Sequence, residues 1–336
     1  MNKTAKIITA CATCSVAIGL CAYVLMLNRT EDQVPTFSNI QETEPVTQPT
    51  TVLPENWYEL YEYQESPKGM TERAKIFLRQ NKDIAGWISL DNTKVNYPFV
   101  LDPGAIPAGT SYYGGEEYPA NSYYLDHDLN GGYARGGTLF MDYRNVFGYS
   151  EVMQSDNIVI YGHNMANNTM FGSLRRYRQD YSFYDESPFI DLSSNYKDYQ
   201  YIIFGCMITS GNWYTDFRYW DMEDFATEED FNNYVEKVRN GSLIDTGVDV
   251  QYGDKLLTLS TCYASEDNSR FIIVGRRLRD DEIRNDVDSI ARTPEYIEKK
   301  KEEEASKAAE EAASREASEN STEESTDSEE ETTSEE

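Results

Sequence analysis

The chain has 336 residues, 39% of them hydrophobic, which is enough for one large domain or two small ones, and its 26 tyrosines and 13 phenylalanines favour a β-rich body. A net charge of −29 argues against nucleic acid as a partner, because binding to phosphates needs clustered lysine and arginine. Residues 302–336 carry 15 acidic and 2 basic side chains, which leaves a net charge of −16 for the rest and also disfavours anionic ligands.

The N-terminal region contains an apolar run at residues 7–27, which is 21 residues long and has no charge. About 20 such residues cross a bilayer as a helix. Two lysines precede the run and two acidic residues follow it, so the positive-inside rule places residues 1–6 in the cytoplasm and the remainder outside the cell. A cleaved signal peptide is the alternative, but the run ends in YVLMLNRT without a small-residue cleavage site. We expect an uncleaved, single-pass anchor in the cell membrane.

Residues 28–55 are rich in Pro, Thr and Glu and are typical of an extended extracellular tether. The main body is then predicted at residues 56–280. It begins with two helix-like segments, NWYELYEY and TERAKIFLRQN, and Thr71 is placed to cap the second of them.

From IAGWISL to FIIVGRRL, strand-like runs separated by Gly, Asn, Asp and Pro dominate the body. Short strands spaced in this way favour a barrel or a sandwich. The clearest runs are Val95 to Val100, Thr138 to Met141, Asn157 to Tyr161, Tyr199 to Ile208, Leu256 to Ser260, and Phe271 to Val274.

One long helix interrupts the strands at TEEDFNNYVEKVRNG. Its apolar residues follow the i, i+3, i+4, i+7 spacing of one helical face. Thr227 and Asp230 form a capping pair, and Gly241 is placed to end the helix.

The region after Arg279 is polar and acidic, and we expect it to contribute nothing to the core. Residues 281–336 are therefore predicted to form a low-complexity tail, helical in its first half through Ala and Glu–Lys spacing and disordered at its end. A fragment from about Asn56 to Arg279 is accordingly expected to fold by itself.

Only two cysteines, Cys206 and Cys262, lie outside the anchor. One disulfide between them is the plainest alternative. Cys206 lies within the strand-like YIIFGCMI and is more simply a buried apolar residue. Cys262 ends a strand beside the polar segment YASEDNS, a position where a reactive thiol is accessible.

The chain contains two histidines. His163 follows the strand-like NIVIYG, so it also lies at a strand end. His127 lies between two aspartates in a Gly- and Asn-rich segment and is typical of a solvated loop. No Cys and His cluster has the spacing of metal ligands, so neither a metal nor another cofactor is predicted.

TLSTC followed by Arg270, together with YGHNM, resembles the signature of the sortase family, and of class B sortases in particular. NKDIAGWISL, YPFV, NSYYLDHD and GGTLFMDYRN are also similar to class B segments. The resemblance implies an eight-stranded β-barrel with N-terminal helices and a long helix before the strand that carries the cysteine. It implies that Cys262 is the nucleophile, His163 the acid and base, and Arg270 the donor to the oxyanion.

The resemblance also implies a membrane-anchored cysteine transpeptidase. Its substrates would be secreted proteins with a C-terminal sorting motif, cut after Thr, and its acceptor an amine of a peptidoglycan cross-bridge or a pilin lysine. By motif, Asn121, Leu125, Tyr161 and Ser260 match the substrate groove of class B enzymes.

Three alternatives stay open at this stage. A secreted cysteine hydrolase would use the same three residues with water as the acceptor. A pilin-polymerising sortase would differ only in its acceptor. A membrane-anchored binding module would leave Cys262 and His163 with structural roles.

Overall fold

The structure, a computed structural model, describes residues 69–148, 150–263 and 268–330. The expected anchor at 7–27, the tether at 28–55 and the first helix-like segment lie outside these residues. In the described ranges, no helix combines the length and the apolar character that a bilayer crossing requires.

The body consists of strands β1 (Ile84–Ser89), β2 (Asn96–Leu101), β3 (Leu139–Met141), β4 (Asn157–Tyr161), β5 (Phe189–Ser194), β6 (Asp198–Ser210), β7 (Leu256–Cys262) and β8 (Ser269–Arg277). They close into a barrel in the order β1-β2-β3-β4-β7-β8-β6-β5. The β2–β3 and β4–β7 pairs are parallel, and the other paired strands are antiparallel. The expected mainly-β, eight-stranded barrel is confirmed.

Strand β5 is not among the strand-like runs that the sequence pattern indicates. Its sequence, FIDLSS, contains an aspartate and two serines, so its apolar content is low. Ile190 and Leu192 are nevertheless fully buried, because they alternate toward the barrel interior while Asp191 points away.

Strand β7 separates two hydrophobic clusters. Leu257 and Leu259 belong to the cluster that fills the barrel, whereas Leu256 belongs to the cluster outside it. Since side chains alternate along a strand, Ser260 and Cys262 share the outer face with Leu256. This alternation directs the thiol away from the core.

The helices are α1 (Glu72–Gln80), α2 (Arg176–Gln179), α3 (Phe183–Glu186), α4 (Glu228–Gly241) and α5 (Pro294–Glu330), with short 3₁₀ turns at Ser111–Tyr113, Tyr123–Leu125, Gly172–Arg175, Tyr219–Asp221 and Val287–Ser289. Thr71 and Thr227 cap α1 and α4 as expected, by accepting hydrogen bonds from Ala74 N and Asp230 N. The predicted face of α4 is buried in the outer cluster, and the long helix before the cysteine strand is confirmed.

The C-terminal strap, which we define as residues 279–300, packs against the barrel. The Glu282 and Arg276 side chains are 1% and 0% exposed, and their carboxylate and guanidinium are joined by two hydrogen bonds of 2.6 Å. Ile290 is buried in the outer cluster, and Arg292 pairs with Val248. The predicted boundary at residue 280 therefore falls inside a packed segment, because a few buried side chains within a polar sequence give no periodic signal.

The helix α5 also extends further than expected. It continues to Glu330, beyond the first half of the tail, for which a helix was predicted. Residues 295–330 contain no Gly or Pro, and they are rich in Ala, Glu and Lys, which favour helix over the whole length.

Candidate active site

The two cysteines outside the predicted anchor have opposite environments. Cys206 is buried in β6, and burial raises its pKa to about 12, so it stays a neutral thiol. Cys262 ends β7 and is exposed. Both thiols are free, so the alternative of a disulfide between them is wrong. Cys262 is therefore the accessible thiol in the described part of the chain.

Arg270 lies directly opposite Cys262 in the antiparallel β7–β8 ladder. Residues opposite each other in such a ladder project from the same face of the sheet, with Cβ atoms roughly 5 Å apart. The half-buried guanidinium makes one hydrogen bond to a described residue, a 3.3 Å contact from Nη1 to the Ser269 carbonyl oxygen. Most of its donors are thus available to a ligand beside the thiol.

The backbone of Gly211 forms a wall beside the guanidinium. A Cβ atom added at Gly211 would meet Arg270 Cζ and the Asn268 carbonyl oxygen, both at 2.9 Å. The Gly211 amide donates to that same carbonyl at 2.8 Å. A larger residue at this position would displace either the β8 backbone or the arginine head group.

His163 reaches the site through the parallel pairing of β4 and β7. Tyr161 pairs with Ser260, so His163 and Cys262 each lie two residues beyond a matched position at the same end of adjacent strands. The Gly162 amide donates to the Ser260 carbonyl at 3.1 Å, and the Asn164 side-chain amide donates to the Cys262 carbonyl at 2.8 Å. The loop that carries His163 is therefore tied to the residue that carries the thiol.

One carbonyl group determines the tautomer of His163. Its Nε2 lies 2.7 Å from the carbonyl oxygen of Leu125. A carbonyl oxygen only accepts, so Nε2 carries the proton and Nδ1 is left to exchange protons. Gly137 maintains this arrangement, because it has φ +56° and a Cβ there would lie 2.5 Å from the Leu125 oxygen.

Asn121 and Tyr161, two of the four predicted groove residues, meet on one carboxylate. Asn121 Nδ2 and the Tyr161 hydroxyl each donate to Asp142 Oδ2 at 2.8 Å. Burial, together with that carboxylate, raises the pKa of Tyr161 well above its usual value, so the hydroxyl stays protonated. Asn121 has φ 58°, a conformation that asparagine tolerates better than most residues.

The other two groove residues differ in exposure. Leu125 is 41% exposed and accessible, whereas Ser260 is 2% exposed. The Ser260 hydroxyl lies 2.7 Å from the Tyr219 hydroxyl, beneath the site. Burial raises the pKa of Tyr219 to about 12, and its phenol interacts electrostatically with both Arg270 and Cys262. A direct contact of Ser260 with substrate stays a prediction.

His127 is held in a separate aromatic cluster. Its ring stacks on Tyr123 with centroids 4.1 Å apart, and Tyr118 meets it edge-on. Its Nδ1 lies 2.8 Å from the Tyr123 carbonyl and 2.7 Å from Asp126. The side chain is 15% exposed, so it is packed to a greater extent than the solvated loop position that the sequence suggested.

Four residues around the site were missed at the sequence level: Asp142, Arg144, Asn164 and Tyr219. The segment FMDYRN was noted only for its similarity to class B enzymes, although an acidic and a basic residue directly after an apolar strand are a signal of a polar cluster. Asn164 lies in YGHNM, part of the resemblance, but its contact with the Cys262 carbonyl spans 98 residues and is not visible in the sequence, and Tyr219, whose partner is 41 residues away, carried no signal.

Comparisons with known proteins indicate the family of this chain. The sortase domain family matches residues 134–278. Sortase B of Listeria monocytogenes serovar 1/2a is 33% identical over 198 residues, which is 58% of this chain and 70% of that protein. Sortase B of Staphylococcus aureus strain NCTC 8325 is 31% identical over 202 residues, 59% of this chain and 72% of that protein.

A solved structure of a Staphylococcus aureus sortase B–substrate complex is similar as well. It has 27% sequence identity and a TM-score of 0.52, and the match covers 67% of this chain and 95% of that one. The closed eight-stranded barrel is thus shared with sortase B structures, which belong to a known class of cysteine transpeptidases. The chain belongs to the sortase family, whose members are cell-envelope enzymes that sort proteins to the cell wall. Within that family its relatives place it in class B.

Proposed function

We propose that Cys262, His163 and Arg270 carry out the transpeptidase reaction on secreted proteins that bear a C-terminal sorting motif. The observation that supports this most directly is the register at one end of the barrel, where Arg270 faces Cys262 and His163 follows the adjacent parallel strand. This register supports a site in which the exposed Cys262 thiol acts together with the Arg270 guanidinium and the His163 imidazole.

In the first half-reaction, the Cys262 thiolate attacks the carbonyl carbon of the motif threonine. Arg270 donates hydrogen bonds to the oxyanion that develops. The peptide C–N bond then breaks, and the His163 imidazolium gives its Nδ1 proton to the leaving amine. A thioester between Cys262 and the threonine is left, and His163 is neutral.

In the second half-reaction, an amine attacks the thioester carbonyl. Neutral His163 takes a proton from that amine, the C–S bond breaks and an amide forms. The products are the transferred protein and the original thiolate–imidazolium pair, so atoms and charges balance. We propose a peptidoglycan cross-bridge amine or a pilin lysine as the acceptor, and an anchor at residues 7–27 that keeps the enzyme beside the cell wall.

This function is tested by measuring how the cleaved product divides between the amine adduct and the free acid. The enzyme is incubated with a library of short peptides that contain Pro and Thr, with and without oligoglycine or hydroxylamine, and products are identified by mass spectrometry. We expect a Cys262 thioester and, at saturating amine, mostly the amine adduct. Free acid as the main product would indicate a hydrolase, and no cleavage would indicate a binding module; Cys262→Ala is the matched control.

Arg270 provides a second test through a change that keeps its charge. We expect Arg270→Lys to lose nearly as much turnover as Arg270→Ala, because lysine lacks the planar set of donors that holds a carbonyl and its oxyanion. The loss of one such donor costs about 3 kcal/mol, roughly a hundredfold in kcat. Steady-state kinetics of the two variants check this, and near-normal turnover of the lysine variant would leave Arg270 with only a distant electrostatic effect.

A further inference from the structure

Asp142 is the most heavily bonded carboxylate near the site, and the reaction does not use it. It follows β3 and is 1% exposed. Its Oδ2 accepts from Asn121 Nδ2 and the Tyr161 hydroxyl at 2.8 Å and from Arg144 Nη2 at 3.0 Å. Its Oδ1 accepts from Arg144 Nε at 2.9 Å and from the Arg144 amide at 3.1 Å.

These contacts join the two segments that hold His163. The first segment is its own strand end, because Tyr161 lies two residues before it. The second is the turn that ends at Leu125, whose carbonyl binds His163 Nε2, and Asn121 lies four residues before Leu125. A single oxygen atom, Asp142 Oδ2, is thus hydrogen-bonded to both segments.

Arg144 extends the cluster to a third segment. Its Nη1 donates to Asp221 Oδ1 at 2.7 Å, and its Nη2 donates to the Trp220 carbonyl. Tyr219 directly precedes Trp220, and its hydroxyl is hydrogen-bonded to the Ser260 hydroxyl on β7, the strand that carries Cys262. The Asp142–Arg144 pair therefore links three loops that surround Cys262.

We propose that Asp142 is a positioning residue that keeps His163 in its Nε2-protonated tautomer beside Cys262, by holding Tyr161 and Asn121 together. The proposal rests on the role given to His163 above. Among the described residues, every hydrogen-bond partner of the Asp142 carboxylate is a donor. Asparagine has nearly the same shape but would point an amide N–H at a donor in either orientation, so Asp142→Asn breaks the cluster with little change in volume.

A purely structural role makes a different prediction, and the chain offers a matched control for it. Glu282 is also buried and also bound to an arginine, Arg276. In the β7–β8 ladder, Arg276 pairs with Leu256, and Arg270 pairs with Cys262. Arg276, with its partner Glu282, therefore lies six residues from the site along β8, which is about 20 Å. Glu282→Gln therefore disrupts a comparable buried ion pair far from His163.

The experiment records ¹⁵N spectra of the imidazoles at alkaline pH together with amine-transfer kinetics. Because the chain has only two histidines, His127 serves as an internal reference. We expect the Nε2-protonated signature of His163 in the unmodified enzyme and a mixture of tautomers in Asp142→Asn, with His127 unchanged. We also expect kcat/KM to fall at least about tenfold, since small misplacements of catalytic groups have effects of this size.

In Glu282→Gln the melting temperature should fall while the tautomer of His163 and the transfer rate stay as they were. Tyr161→Phe removes one hydrogen-bond donor to Asp142 and changes nothing else in the cluster. It should shift the His163 tautomer in the same direction as Asp142→Asn, but by less. It also tests the proposal if Asp142→Asn does not fold. An unchanged His163 tautomer in both site variants would overturn the proposal. The spectra need no turnover, so a failure of the proposed transpeptidase reaction would be seen separately, as absent transfer by the unmodified enzyme.

Discussion

Replacing His163 by alanine is expected to lower kcat for sorting-peptide turnover by about 10²- to 10⁴-fold, the range contributed by a general acid and base, while the melting temperature stays near that of the unmodified enzyme. The ring is half-buried and, among the described residues, makes one side-chain hydrogen bond, to the Leu125 carbonyl, so little packing is lost. Turnover measured on the same peptides, together with thermal unfolding followed by circular dichroism, checks both parts.

His127→Ala is the matched control and should show the opposite pattern. Its turnover should be close to normal, and its melting temperature should fall, because the ring stacks on Tyr123 and is 15% exposed. If His127→Ala abolished turnover and His163→Ala did not, the histidine proposed as the acid and base would be the wrong one.

Removing the C-terminal strap is expected to unfold the domain or lower its stability by about 3–5 kcal/mol, a large part of the 5–15 kcal/mol typical of a domain. A fragment that ends at Arg279 leaves the fully buried Arg276 without Glu282. A fragment that ends at Lys301 keeps this pair and the packing of Ile290. Both fragments begin at Asn56, and their urea unfolding curves are compared.

The same ion pair predicts a dependence on pH. Burial would raise the pKa of Glu282, but hydrogen bonds from Arg276 and from the Arg279 and Ala291 amides outweigh it and lower the pKa to about 2. The contribution is therefore complete above the ordinary carboxyl pKa and is lost as the pH falls from about 4.5 to 2. Equal stability of the two fragments would show that the strap is dispensable and that the boundary at residue 280 was adequate.

Much of the fold follows from local patterns. Alternating and continuous apolar runs indicated six of the strands, and the spacing of Phe231, Tyr234, Val235 and Val238 indicated α4, because both periodicities arise from the geometry of a single element. Strand β5 was missed because half of its residues are Asp or Ser, so its apolar content is low. Closure into a barrel came from the resemblance to sortases, since no local pattern specifies which strands become neighbours.

The sequence by itself identified Cys262, His163 and Arg270 as candidates, because strand ends and reactive residue types are visible in one dimension. Only the tertiary structure placed Arg270 opposite the thiol and tied the His163 loop to it through Asn164. It alone also decided that Asp142 joins the loops around the site and that Glu282 belongs to the core. The reason is physical: a polar group is buried by elements that pack together only after the barrel has closed, whether its partners are 19 and 21 residues away, as for Asp142, or six, as for Glu282.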